Sequence, residues 1–144
     1  MADFDHIVVP VDGSDSSLRA AGFAAKLGRS LNVPLKLLHV MAITPESAMG
    51  MSRLSRDDID ALRKHNGDAV FRRTREALGS DAGDIESTAL AGDPAEEILG
   101  YMRRNPSALV VMGRRGLSPV QTLMLGSVSD KVLRAANVAV TVVH

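Results

Sequence analysis

Three stretches of this chain, Ile7-Val8-Val9-Pro10-Val11, residues 35–41 and residues 108–112, are almost unbroken aliphatic runs of strand length. A strand with one face in water alternates apolar and polar residues. A strand covered on both faces has no reason to, and such runs point to a parallel sheet sandwiched between helices. Helical patterns separate the runs, at residues 15–31, 55–78, from Asp93 to just before Asn105-Pro106, and 128–136. Strand and helix in alternation predict an α/β fold, an open doubly wound parallel sheet with helices on both faces. Two further strands complete a five-stranded sheet. Residues 85–90 are more polar and read as an edge, and Val138-Ala139-Val140-Thr141-Val142-Val143 ends the pattern. At 144 residues the expectation is one domain, 1–144, without repeats or internal linkers.

Local signals fix several boundaries. In the first helix Leu18, Ala21, Ala25 and Leu27 fall on the expected packing side, Ser14 or Asp15 suits the N-cap, and Asn32 and Pro34 end it. In the helix beginning at Asp93, that residue can cap, Pro94 suits the first helical position, and Glu96 is placed to complete a capping box. Pro10 cannot donate to a sheet ladder, so it belongs where the first strand leaves the sheet.

The chemistry is concentrated near the end of the chain. Leu109-Val110-Val111-Met112 leads into Gly113-Arg114-Arg115-Gly116; nine residues later comes Gly126-Ser127-Val128-Ser129, at the start of a helix. Glycines permit a sharp turn and a close approach of ligand to backbone. The first amides of a helix lack internal partners and sit at the positive end of its dipole, so they suit phosphate. Ser127 and Ser129 add hydroxyls, and Arg114 and Arg115 are placed to close over an anion. No G-x-x-x-x-G-K-[ST] occurs, and no G-x-G-x-x-G follows the first strand, which sets aside the P-loop and dinucleotide patterns.

G-x-x-G, nine residues, then G-S resembles the ATP-binding signature of the universal stress protein family, and Ile7 to Ser14 resembles that family's first strand and acidic turn. The resemblance covers essentially the whole chain. It implies strand order 3-2-1-4-5, which makes strands one and four neighbours at the point where strand order reverses. Pro10, Val11, Asp12, the Val40 backbone and Met112 would then surround the nucleoside, with Asp12 accepting hydrogen bonds from ribose or base. Gly113, Arg114, Arg115, Gly116, Gly126, Ser127, Val128 and Ser129 would hold the phosphates of ATP, with Mg²⁺ bound mainly by phosphate oxygens and water. The resemblance also implies a homodimer through the last strand. The expected function is a nucleotide-dependent stress-response module. The alternatives are a dimeric, chaperone-like interaction protein with an empty glycine loop, and a slow ATPase or self-phosphorylating protein.

Several classes are disfavoured. Seventeen basic residues balance seventeen acidic ones, which removes the basic field that draws nucleic acid or anionic membrane. Arg72, Arg73, Arg75, Arg103 and Arg104 are expected to be solvated helix faces. Nothing reads as a membrane span or a signal peptide, so a cytoplasmic location is expected. With no cysteine there is no disulfide or thiol chemistry. His39 reads as a hydrogen-bonded strand residue, and His6, His65 and His144 share no metal-ligand spacing. Residues 42–54 read as a loop with no assigned site. No nucleophile elbow or His-carboxylate pair supports catalysis, so no catalytic residue is assigned.

Overall fold

The computed structural model describes residues 4–114 and 125–144. Five parallel strands, β1 (His6–Pro10), β2 (Leu35–Ala42), β3 (Glu86–Gly92), β4 (Ala108–Gly113) and β5 (Val140–Val143), form one sheet in the order β3-β2-β1-β4-β5. This is the doubly wound order, with reversal between β1 and β4. The helices are α1 (Asp15–Leu31), α2 (Pro45–Met51), α3 (Arg56–Leu78), α4 (Pro94–Arg104) and α5 (Ser127–Ala135). One apolar core joins Ile7, Val9, Leu37 and Val111 to α1 and α3; the other joins Val8, Leu38, Val110 and Met112 to α4 and α5. Residues 7 and 9 thus face one layer and residue 8 the other, as the two-residue strand period demands. This is why the central strands needed unbroken aliphatic sequence.

Helix α1 runs from Asp15 to Leu31 as the sequence implies, capped by the Ser14 hydroxyl, which accepts from Ser17 N–H at 3.1 Å. Its buried face is made of small residues, Ala20, Ala21, Ala24, Ala25 and Gly28, while Leu18 and Leu27 are only partly buried. Small residues let the helix lie close to the sheet. A Cβ on Gly28 would come within 3.0 Å of the Val33 carbonyl oxygen. The turn from β1 into α1 needs Gly13, whose φ of +83° is strained for any side chain.

Some expectations are corrected. The segment 42–54 contains α2, whose capping box is made by Thr44 and Ser47 with Pro45 in the first turn. A Thr-Pro pair ahead of Ser47 carried that signal. In α4 Asp93 does cap, accepting from Glu96 N–H at 3.0 Å, but the Glu96 carboxylate does not complete a box: it binds Lys131 of α5 at 2.8 Å. Strand β3 begins and ends later than residues 85–90, and β5 starts at Val140 rather than Val138. Arg75 is not simply solvated; its Nη2 donates to the Ile85 carbonyl at 2.7 Å, and Arg63 Nη1 donates to the Ala89 carbonyl at 2.8 Å. Both arginines cover the outer edge of β3, a protection that exposed edge strands require. Among the described residues no helix is long and apolar enough to cross a membrane.

Candidate functional site

At the carboxyl ends of the strands β1 and β4 part, and Pro10 is the reason. Ile7 and Val11 donate their N–H groups to the β2 side, to Pro34 and Leu38, so the nitrogen of Pro10, one residue out of phase, faces β4. It has no proton to give. Pairing of β1 with β4 stops at Val8↔Val110, two residues short of the proline. The gap so opened lies at the switch point, where open α/β sheets bind ligands.

A cleft of about 730 Å³ occupies that place, within the range of small-molecule sites. Of the residues singled out by sequence, Pro10, Val11, Asp12, Val40, Met112, Gly113, Gly126, Ser127, Val128 and Ser129 all line it. Arg115 and Gly116 lie outside the described residues. Arg114 does not line the cleft; its guanidinium turns to the chain end, with Nη1 3.5 Å from His144 Nδ1. Its backbone nevertheless ties the site together. Arg114 N–H donates to the Val143 carbonyl at 3.0 Å, and the Arg114 carbonyl accepts from Gly126 N–H at 2.9 Å.

The cleft has two chemically distinct ends. One is apolar, between Pro10, Leu38, Val40, Ile98 and Met112. The other is the start of α5. Its first helical bond runs from Asp130 N–H to Gly126 C=O, so the amides of Ser127, Val128 and Ser129 precede the ladder. Helices α1 to α4 satisfy such amides with a Ser, Thr or Asp cap; α5 begins at Gly126, which has no side chain to do so. Among the described residues these amides have no partner, and free donors at the positive end of a helix dipole favour an anion. The Ser127 hydroxyl is exposed beside them. Ser129 differs from expectation: its buried hydroxyl donates to the Gly113 carbonyl at 2.8 Å, fastening α5 to the tip of β4.

Gly113 also has a reason for being glycine other than ligand approach. A Cβ there would lie 2.7 Å from the carbonyl carbon and oxygen of Ser16, so α1 and β4 touch backbone to backbone. Asp12 is half-buried, lines the cleft, and accepts from Ser14 N–H through Oδ1 at 2.9 Å. This one carboxylate therefore both shapes the turn and lines the site.

Sequence reasoning did not find the wall contributed by α3, where His65, Asn66, Ala69 and Val70 line the cleft, nor Pro94 and Ile98 of α4. The available signal was Gly67, a small residue in an otherwise long, charged helix. A Cβ at Gly67 would sit 2.8 Å from the Ala89 Cβ, so α3 descends onto β3 at this point and its neighbours reach the strand ends. His39, read as a strand residue, does make a hydrogen bond, from Nδ1 to the Val11 carbonyl at 2.7 Å, and it also lines the cleft.

The chain is similar in sequence and in fold to known proteins. Universal stress protein YxiE of Bacillus subtilis is 32% identical over 147 residues, covering 98% of this chain and 99% of the relative. The solved structure of universal stress protein UspA from Lactobacillus plantarum superposes with a TM-score of 0.76 at 26% identity, covering 98% of each chain. A universal stress protein solved in complex with cAMP is 28% identical with a TM-score of 0.62, over 99% of this chain and 98% of the other. The model of the universal stress protein family matches residues 3–144, and the chain belongs to that family.

Proposed function

We propose that this protein is an adenine nucleotide-binding regulatory module of the universal stress protein family, with ATP as its ligand. The observation that carries the reading is the uncapped start of α5 facing the same cleft as the apolar slot between Pro10, Val40 and Met112. One end suits a planar base and the other a phosphate. The cAMP complex of a relative at 28% identity supports the ligand class. Asp12 accepts hydrogen bonds from the ribose hydroxyls, and Mg²⁺ enters with the phosphates, held by their oxygens and water. Arg115 and Gly116 belong to the same phosphate-binding signature.

The protein is proposed to act in the cytoplasm as a homodimer joined through the β5 edge, binding nucleotide without efficient turnover. Phosphoryl transfer requires a positioned base or water beside the γ-phosphate. Among the described residues the one carboxylate lining the cleft, Asp12, already accepts the Ser14 amide.

The test is equilibrium binding of ATP, AMP and cAMP to wild type and to Ala69→Trp. Ala69 is an exposed residue of α3 on the cleft wall, so a large side chain there fills the cleft without disturbing either core. The expected outcome is binding by wild type and its loss in the variant at unchanged melting temperature. Wild type that binds no adenine nucleotide at millimolar concentration defeats the reading.

A further inference from the structure

The ladder between β1 and β2 stops one rung earlier than its geometry allows. Val11 N–H donates to the Leu38 carbonyl at 2.7 Å, and Ile7 N–H to that of Pro34 at 2.9 Å, so even-numbered residues of β2 face β1. Odd-numbered ones face β3, as the Ile43 N–H to Gly92 carbonyl bond at 3.0 Å also requires. In a parallel ladder the next rung would be Val40 N–H to the Val11 carbonyl. That rung is missing, and pairing ends at Pro10↔Leu38. The Val11 oxygen is taken by His39 Nδ1 at 2.7 Å. A carbonyl only accepts, so Nδ1 carries the proton. The ring is held edge-on to Phe71, with centroids 6.4 Å apart and planes at 89°. Among the described residues nothing bonds the N–H or C=O of Val40, and both face the side that β1 has left, where Val40 lines the cleft.

We propose that His39 is a positioning residue for base recognition: by donating to the Val11 carbonyl it replaces the missing rung, keeps β1 and β2 from closing, and so leaves open the N–H and C=O of Val40, the backbone that the family resemblance already assigns to the nucleoside. The inference rests on the adenine nucleotide reading above. Adenine offers an amino donor beside a ring-nitrogen acceptor, which complements a backbone C=O and N–H on one side of a strand. Guanine places a carbonyl oxygen where the amino group would be, and two acceptors then oppose each other. Discrimination of this kind follows from leaving buried polar groups unpaired with the wrong ligand.

The test compares wild type with His39→Asn, whose Nδ2 takes the place of Nδ1, and His39→Phe, which cannot donate; His39→Leu serves as a second non-donor. Amide hydrogen exchange of Val40 is measured without nucleotide, and affinities for AMP and GMP are measured separately. In the Phe and Leu variants the freed Val11 carbonyl takes back Val40 N–H, so that amide exchanges at least about tenfold more slowly, and the AMP-over-GMP preference falls about tenfold. His39→Asn keeps both wild-type properties. Equal Val40 exchange in all four proteins, or an intact AMP preference in the non-donors, overturns the assignment. Wild type that binds neither nucleotide overturns the adenine reading instead, and the exchange result still decides whether His39 holds the rung open.

Discussion

The Ser129 hydroxyl donates to the Gly113 carbonyl at 2.8 Å, joining the first turn of α5 to the last residue of β4 across sixteen residues of sequence. With Gly126 N–H bonded to the Arg114 carbonyl, it fixes where the helix start lies relative to the sheet edge. Ser129 is 4% exposed, and removing its hydroxyl strips a partner from a buried carbonyl. Ser129→Ala is expected to lower stability by about 1–3 kcal/mol and to weaken nucleotide binding with it. Ser127, exposed on the same turn, behaves differently: Ser127→Ala leaves stability within about 0.5 kcal/mol but lowers ATP affinity about tenfold. Denaturant titration and calorimetric binding on the pair separate the roles. If both serines shift stability alike, the division is wrong.

Gly113 predicts a steric effect. A methyl group there meets the Ser16 backbone at 2.7 Å, and neither a central strand nor the first turn of α1 can yield easily. Gly113→Ala is therefore expected to cost about 1–3 kcal/mol through overpacking, before any question of ligand arises. Its denaturation midpoint should fall in the absence of nucleotide. An unchanged midpoint would mean that β4 and α1 can separate there, and would return Gly113 to a purely ligand-binding role.

The sheet was legible because burial on two faces leaves an imprint in each strand, the continuous aliphatic run, that no neighbour has to explain. Strand order and the convergence of Asp12 with Ser127 came from family resemblance, since periodicity does not say which strands are neighbours. What sequence did not reveal depends on distance between elements. Glu96 is three residues from Asp93, as a capping box needs, yet its carboxylate binds Lys131 because α5 packs beside α4. Arg63 and Arg75 look like members of a charged helix face until β3 is placed under them. The α3 wall of the cleft was hidden for the same reason: His65 and Asn66 are exposed polar residues whose position matters only once Gly67 has brought the helix down on Ala89.

Tyr101 makes the alkaline limb of stability measurable. Burial raises its pKa above the ordinary phenol value, about 10; the cations Lys36 and Arg104 pull it back down, and the carboxylates Glu86 and Asp5 push it up, each by less than burial does. A raised folded-state pKa means that its contribution is complete below about pH 10 and is lost as pH rises further, because the unfolded chain releases its proton first. Lys131, raised through its hydrogen bond to Glu96, acts in the same direction from an exposed position. The chain has one tyrosine and no tryptophan, so phenolate absorbance reports Tyr101 alone. Its midpoint in the folded protein should lie above that of the denatured chain, and Tyr101→Phe should flatten the loss of stability above pH 10. A folded midpoint at or below the denatured one contradicts the burial argument.

The proposed dimer can be tested by the alternation of β5. Val110 N–H donates to the Ala139 carbonyl at 3.0 Å and Arg114 N–H to that of Val143 at 3.0 Å, so residues 139, 141 and 143 face β4. Residues 140 and 142 therefore direct their N–H and C=O groups to the open side, available to the same strand of a second copy related by a two-fold axis. Val142→Pro removes one outward donor and leaves every bond to β4 in place, a substitution that edge strands tolerate. The variant should keep the wild-type melting behaviour at high dilution and sediment as a monomer where wild type sediments as a dimer. Thr141→Pro, whose nitrogen faces β4, is the converse: it should destabilise the fold itself by about 1–3 kcal/mol, because the lost rung leaves a backbone acceptor on β4 unpaired. A Val142→Pro protein that remains dimeric would move the interface to another surface.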